Sequence, residues 1–504
     1  MKQKKIKKLL IIIVMGMVLY TVGGLIFVNI KKSENSNPEN LPQNWHLNGL
    51  SKNGLSNDTQ SILKIDGKYE LFYLVDTGKG LKSNQKRTRW TRAISSDLTT
   101  FKTVDNVDIQ PNSLKESVAT GSIVKDEDNR AGYGENSLLA YATKYIKGNQ
   151  WIYMWYSVDR GEKWYVANNG KPVAKPYKKG KDFRDPNVIY DPDSRKLIMT
   201  VAEMDDSEHS KIGFYTSEDG IKWKYTDSFY SPRDLGVMEV PEVQQIYKKD
   251  THQKKWILFF SANGFADDFQ KSTGSYYVVG QLKNGYFKTE SNPERVDYGT
   301  DYYAAHNYKE NNRQLLGLGW MGNWNYITHI SDNIKYKGNY SAFRKFFLSS
   351  DNKIKTSSVI TNGVFKTRKN SVTVEGHSNS KFITSKNAYK MSVFLNGEQK
   401  INIESSSGDS NIDFHFNNFN KELTVRRKSD YVTEDSYSDY YRVKLWGKWS
   451  EKVIFYVDKY SVEVYWPNTG QIATFARYTN DGKDQIVFNN LENKNSYIVV
   501  QEMK

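Results

Sequence analysis

The sequence predicts an all-β protein: a five-bladed β-propeller followed by a C-terminal β-sandwich, with an N-terminal transmembrane helix. Three observations carry this. Short β-branched or aromatic runs such as "YELFYLV", "KLIMTVAE", "KWILFFSA" and "SYYVVGQL" follow one another between Asp-Gly, Asn-Gly and Lys-Gly breakers, without long helical periodicity. A Ser/Asp turn followed by an aromatic recurs about every sixty residues, as Asp97 with Phe101, Asp159 with Trp164 and Asp219 with Trp223. Several strands per unit at a fixed period is a blade pattern, and five such units need about three hundred residues. Beyond about Phe346 the repeat gives way to polar/apolar alternation, as in "KINIESSSGDSNIDFHF" and "EKVIFYVDKYSVEVYW". That is the pattern of sheets with one buried face.

Taken in order, residues 1–8 form a basic tail and Leu9–Val28 an uncharged stretch of 20 residues, enough to cross about 30 Å of hydrocarbon. Five Lys precede it and two follow, which keeps the N-terminus in the cytoplasm. A cleaved signal would show a shorter apolar core and a small-residue cleavage site. An uncleaved anchor is therefore expected, with secretion as the alternative. Residues 29–43, rich in Ser, Asn and Pro, read as a polar tether. Residues 44–345 are assigned to the propeller and 346–504 to the sandwich, both on the extracellular face of the membrane.

Composition excludes several classes of function. The 504-residue chain has no Cys, so disulfide staples and thiolate metal sites are out. Its seven His include no His-x-x-x-His pair, and no phosphate-binding Gly-x-x-x-x-Gly-Lys-Ser/Thr loop occurs. The net charge of +15 is scattered apart from the N-terminal Lys run, unlike the basic stripe of a nucleic-acid binder. No metal, no cofactor, no nucleic acid and no protein partner is expected. The 35 Tyr and 12 Trp suit aromatic-lined grooves on a strand-rich scaffold.

A propeller brings loops from every blade to one end of its channel, where acids distant in sequence can converge, and the sequence by itself does not choose among its 57 carboxylates. "DFRDPNVIYD" holds Arg184-Asp185-Pro186, which alone reads as a turn. It follows "SNDTQSILKIDGKYELFYL" and precedes "GVMEVPEV", "DYGTDYYAAHNY" and "GLGWMGNW", with "YVDKYSVEVYW" in the sandwich. In this order the motifs resemble those of glycoside hydrolase family 32, the β-fructosidases, from about Asn57 to the C-terminus. The resemblance implies Asp58 as nucleophile, Asp185 as the carboxylate holding hydroxyls of the fructosyl ring, and Glu239 as acid/base. It also implies a fructan or sucrose-type carbohydrate as the substrate.

The chain departs from the family pattern where Thr59-Gln60-Ser61 follows the nucleophile, and at Leu74, Val240 and Glu242. With "TRWTRAISSDL" and "TGSIVKDEDN", these departures are similar to the levan-acting branch, which implies β-2,6-fructan (levan) ahead of inulin or sucrose.

Retaining transfer of a fructosyl unit needs one ionised carboxylate beneath the anomeric carbon and a second that gives and then takes a proton. Asn57 and Gln60 flank Asp58 and are expected to hydrogen-bond its carboxylate, and Arg184 is expected to offset Asp185. Val237, Met238, Val240 and Pro241 surround Glu239 with apolar bulk. Trp90 and Trp320 read as sugar platforms or core aromatics, and Ser122, with Thr120, as substrate contacts or strand starts. Two other functions remain open from sequence: a fructosyltransferase, or a non-catalytic fructan-binding surface protein.

Overall fold

The computed structural model describes residues 46–47, 55–76, 88–104, 107, 109, 116–176, 182–264, 273–334, 336–359, 367–374, 379–417, 419–446, 452–492 and 496–503. The tail, the Leu9–Val28 stretch and the tether lie outside them. Among the described residues no helix is long and apolar enough to cross a membrane.

The described residues form seven antiparallel sheets, of which the first five are consecutive in the chain. Their first strands are Leu55–Ile65, Glu116–Asp126, Phe183–Asp191, Gly236–Tyr247 and Tyr303–Asn311. Each of these touches the first strand of the next sheet, and the fifth touches the first, so they close a ring. That is a five-bladed propeller with the first strands innermost.

An apolar core lies between every pair of neighbouring blades. Phe72, Leu74 and Trp90 of blade 1 meet Leu138, Trp155 and Trp164 of blade 2, and equivalent clusters fill the other four gaps. Burial on both faces explains why blade strands such as Lys196–Met204 read as unbroken apolar runs.

The Ser/Asp repeat is the turn between the third and fourth strands of blades 1 to 3. Asp159 Oδ1 accepts from Ser157 Oγ and Lys163 N, and Asp219 Oδ1 accepts from Ser217 Oγ, Ile221 N and Lys222 N. The aromatic then closes the turn: Trp164 and Trp223 donate to the carbonyls of Gly161 and Gly220, each at 3.1 Å. Side-chain oxygens thus satisfy backbone donors that a tight turn leaves unpaired.

The last two strands of blade 5, Arg344–Leu348 and Ile354–Ser358, pair with Gln314–Met321 and with each other. The propeller therefore runs past the expected boundary at 345/346 to Ser358. An excursion between Met321 and Arg344, carrying a short 3-10 turn and the strand Asn339–Tyr340, displaces these strands along the sequence.

The remaining strands form two six-stranded sheets facing each other across one core. One sheet alternates buried and accessible positions, as in Gln399–Ser405. In the other, the strands Lys452–Asp458, Ser461–Trp466 and Gln471–Ala476 are buried almost throughout, and Ile454 and Tyr456 pack against Ala342 of the propeller.

Charge, as well as apolar surface, joins the two domains. Arg344 of blade 5, 1% exposed, donates to Asp297 (2.7 Å), to Glu463 of the sandwich (2.7 Å) and shares Asp297 with Thr474 Oγ1. Arg427 of the sandwich reaches Asp301 at 2.7 Å. Burial alone would raise Glu463, but Arg344 and His46 outweigh it and hold the carboxyl down at about 2. Removing one member of such a buried set leaves uncompensated charge. Arg344→Met should therefore lower global stability by about 3–5 kcal/mol in urea unfolding, and a loss under about 1 kcal/mol would show that the junction does not depend on it.

Candidate active site

All five innermost strands are irregular at one end. Pairing with the second strand slips around Asn57–Gln60, Ala119–Thr120, Asp185–Pro186, Val240–Pro241 and Ala304–Ala305. Each slip is a β-bulge, which re-aims side chains and frees backbone groups from the ladder. Pro186 and Pro241 fit there because they have no N–H to donate. Asp185, Val240 and Ala304 sit at φ of 59°, 50° and 46°, and for β-branched Val240 this conformation is strained.

The freed groups are taken up blade to blade around the channel. Gln60 Oε1 of blade 1 accepts from Gly121 N at 2.7 Å, and Thr143 Oγ1 of blade 2 accepts from Asp185 N at 2.8 Å. Asp185 Oδ2 of blade 3 accepts from Val240 N at 3.2 Å, while Thr200 Oγ1 donates to Pro241 O at 2.9 Å. Ser261 Oγ of blade 4 accepts from Ala304 N at 2.8 Å, and Thr59 Oγ1 of blade 1 donates to Ala304 O at 2.7 Å. The relay is closed. Gly121 is required in it, since a Cβ there would lie 1.9 Å from the Tyr141 carbonyl oxygen.

The bulges bring Asp58, Asp185 and Glu239 together with Arg184. Asp58 Oδ2 accepts from Thr120 Oγ1 at 2.6 Å, while its Oδ1 is buried with no hydrogen-bond partner. Glu239 Oε1 accepts from Arg184 Nε and Nη2 at 3.2 and 3.1 Å, and Oε2 from the Tyr303 hydroxyl at 2.6 Å. Burial raises Asp58 to about 8, with the charges of Asp185 and Glu239 adding to it against the Thr120 hydroxyl. Burial likewise lifts Asp185 to about 7, where Arg184 opposes the rise and Glu239 supports it. Asp58 and Asp185 thus hold their protons up to near neutrality.

Several expected contacts are placed differently. Asn57 and Gln60 do not reach the Asp58 carboxylate: Asn57 Oδ1 accepts from Asp58 N and Gln60 Nε2 donates to Asp58 O, both at 2.9 Å. Trp90 (1% exposed) and Trp320 (0%) present no face to a sugar. Their indole N–H groups donate to Ala119 O and Ser56 O, each at 2.8 Å, because bulged backbone needs those donors. Ser122 is buried and accepts from Val188 N. Arg184 offsets Asp185 as expected, with Asp185 Oδ2 at 3.8 Å, and also pairs directly with Glu239 and Asp182. Met238 and Val240 enter inter-blade cores, so polar donors meet Glu239 where apolar bulk was expected.

Thr120 was read as a substrate contact or a strand start, not as the partner of Asp58, and Tyr303 and Thr143 were not singled out.

An all-β propeller with a carboxylate trio at the channel mouth is the framework of a glycosidase. Residues 46–358 match the glycosyl hydrolases family 32 N-terminal domain, and the chain belongs to that family. The levanbiose-producing levanase of Bacillus subtilis (strain 168) is 35% identical over 284 residues, 54% of this chain and 52% of that protein. The levanase of the same organism is 31% identical over 286 residues, 54% of this chain and 40% of the relative. The chain thus spans about half the length, or less, of these two relatives.

Among solved structures, the β-fructofuranosidase of Schwanniomyces occidentalis complexed with fructosyl-erythritol aligns with a TM-score of 0.78 at 19% identity. It covers 94% of this chain and 99% of that one. The exo-inulinase of Aspergillus awamori gives 0.78 at 20%, covering 92% and 99%. At such identity these two show the fold, propeller and sandwich together.

The raised value of Asp58 has a consequence for stability. Between an ordinary carboxylate value near 4 and about 8, the folded state holds a proton that the unfolded state releases. Stability is therefore lost as pH rises through that window. Asp58→Asn should melt several degrees higher than the parent at pH 8, with the advantage fading towards pH 4, by calorimetry at both values. A parent more stable than the variant at pH 8 would contradict this electrostatic account.

Proposed function

We propose that the protein is a retaining β-fructosidase that hydrolyses β-2,6-fructan (levan), held at the outer face of the membrane by Leu9–Val28. The observation that carries the catalytic reading is the split environment of Asp58. One oxygen is fixed by Thr120, and the other is buried without a hydrogen-bond partner within the electrostatic reach of Glu239. The similarity to two levanases supports levan as the substrate.

In this reading substrate binding passes the proton kept by the empty site's carboxyls to Glu239, so that Asp58 Oδ1, now ionised, attacks the anomeric carbon of the fructosyl unit while Glu239 delivers that proton to the departing oxygen. Water then attacks the ester, with Glu239 taking its proton. Asp185 accepts hydrogen bonds from ring hydroxyls, a contact that tightens as positive charge grows on the ring. The energetics follow from the raised carboxylates. Anions disfavoured in the empty site by burial and mutual repulsion are relieved by an oxocarbenium-like cation, so the gain is specific to the transition state. Tyr303 and Arg184 hold Glu239 in one orientation through both steps.

Digestion of levan, inulin and sucrose with product analysis tests this. Levan should be cleaved fastest, to fructose or short fructose oligomers, with the activity sedimenting with membranes after a high-salt wash. Asp58→Asn should lower turnover by several orders of magnitude, and Asp185→Asn should lower kcat more than it raises KM. Near-normal activity in both variants would overturn the assignment, and transfer of fructosyl units to sugar hydroxyls in place of water would overturn hydrolysis. Release of the activity into the medium would overturn the anchor.

A further inference from the structure

His46 and Leu47 form a strap that touches the sandwich, blade 5 and, through blade 5, the backbone beneath Asp58. His46 is 3% exposed. Its Nδ1 lies 2.5 Å from Asp458 Oδ2 and 2.7 Å from Ser461 Oγ, and its backbone N donates to the same Asp458 oxygen at 2.8 Å. Its Nε2 is 3.7 Å from Glu463 Oε1. Asp458 and Ser461 end and begin neighbouring sandwich strands, and Glu463 is the partner of Arg344. Burial works against charge on His46, yet Asp458 and Glu463 together raise it to about 9, so the imidazole is a cation held between two carboxylates.

The next residue carries that fixed position into the propeller. Leu47 exchanges both backbone hydrogen bonds with Tyr340, at 3.1 and 3.2 Å. Tyr340 is fully buried, packs edge-on against Tyr73 at 5.7 Å, and donates its hydroxyl to the Asn57 carbonyl. Asn57 lies in the slip between Ser56 and Thr59, where pairing with the second strand is interrupted. A bulged carbonyl needs a donor from elsewhere, and the Tyr340 hydroxyl is that donor. Asn57 Oδ1 then accepts from Asp58 N, so the chain of contacts ends on the residue assigned as nucleophile.

We propose that the sandwich is a positioning part of the active site. His46, clamped by Asp458 and Glu463, fixes Tyr340 through Leu47, and Tyr340 fixes the backbone that aims Asp58. The inference rests on the assignment of Asp58 as nucleophile. His46 and Tyr340 are positioning residues, since neither touches the substrate.

The test is a double-mutant cycle of His46→Gln and Tyr340→Phe in the full chain, with levan as substrate. Hydrogen exchange of the peptide covering 55–65 is measured in parallel. Tyr340→Phe removes one hydroxyl and keeps the ring, so it reports on the contact even if His46→Gln folds poorly. Each single variant should lose about tenfold in kcat with KM nearly unchanged, and the double variant should lose no more than the worse single. Exchange in the peptide should quicken in both.

Multiplicative losses would mean independent effects and would overturn the proposal. So would unchanged kcat or unchanged exchange in Tyr340→Phe. A parent without fructan turnover but with the expected exchange pattern would overturn the catalytic reading alone, leaving the strap's action on the Asp58 backbone established.

Discussion

The constraint on which the rest of this structure depends is the bulge at one end of each innermost strand. A regular ladder would point the residues at 58, 185 and 239 along fixed alternating directions and would keep backbone groups paired within each blade. Slipping the register frees those groups, and buried backbone must be satisfied. The structure satisfies it across blades: Gln60, Thr143, Asp185, Ser261 and Thr59 each answer a neighbour's bulge. Loss of register and closure of the ring are thus one device. Strained backbone such as Val240 is tolerated because two bonds from the neighbouring blade 3, to Val240 N and Pro241 O, hold it in place.

Asp185 belongs to both networks. One of its oxygens holds Val240 N, adjacent to Glu239, while its charge raises Asp58. Geometry at one carboxylate and electrostatics at another are therefore linked through a single side chain. A site assembled this way stores unfavourable charge that the reaction can use. The buried ion pairs at the domain junction differ, since Arg344 and Arg427 each meet opposite charge directly. Within one chain, burial of carboxylates serves rigidity where cations match them and reactivity where they do not.

Much of this was legible in the sequence, for identifiable reasons. Blades were visible because two-sided burial writes continuous apolar runs and because Ser/Asp turns at 97, 159 and 219 repeat a local hydrogen-bond pattern. Asp58, Asp185 and Glu239 were singled out through the resemblance of their flanking motifs, and the structure brings the three together beside Arg184. The end of blade 5 was misplaced because an excursion separates its strands. Trp90 and Trp320 stayed open between sugar platform and core aromatic because an indole that pins a bulge and one that stacks on a sugar look alike in sequence, and the structure buries both. Thr143, Thr200 and Ser261 were invisible, since a hydroxyl residue inside an apolar strand declares its partner only once the neighbouring blade is in place.

The account stands on Asp58 and Glu239 forming a nucleophile and acid/base pair. The most direct measurement combines Glu239→Ala with an aryl fructoside, whose acidic phenol leaves without proton delivery, followed by peptide mapping of the trapped enzyme. With the base for the second step removed, a fructosyl ester should accumulate on the peptide containing Asp58. Azide, which needs no base, should release it as a fructosyl azide with the substrate's anomeric configuration. A label on another residue, or an azide of inverted configuration, would contradict the account.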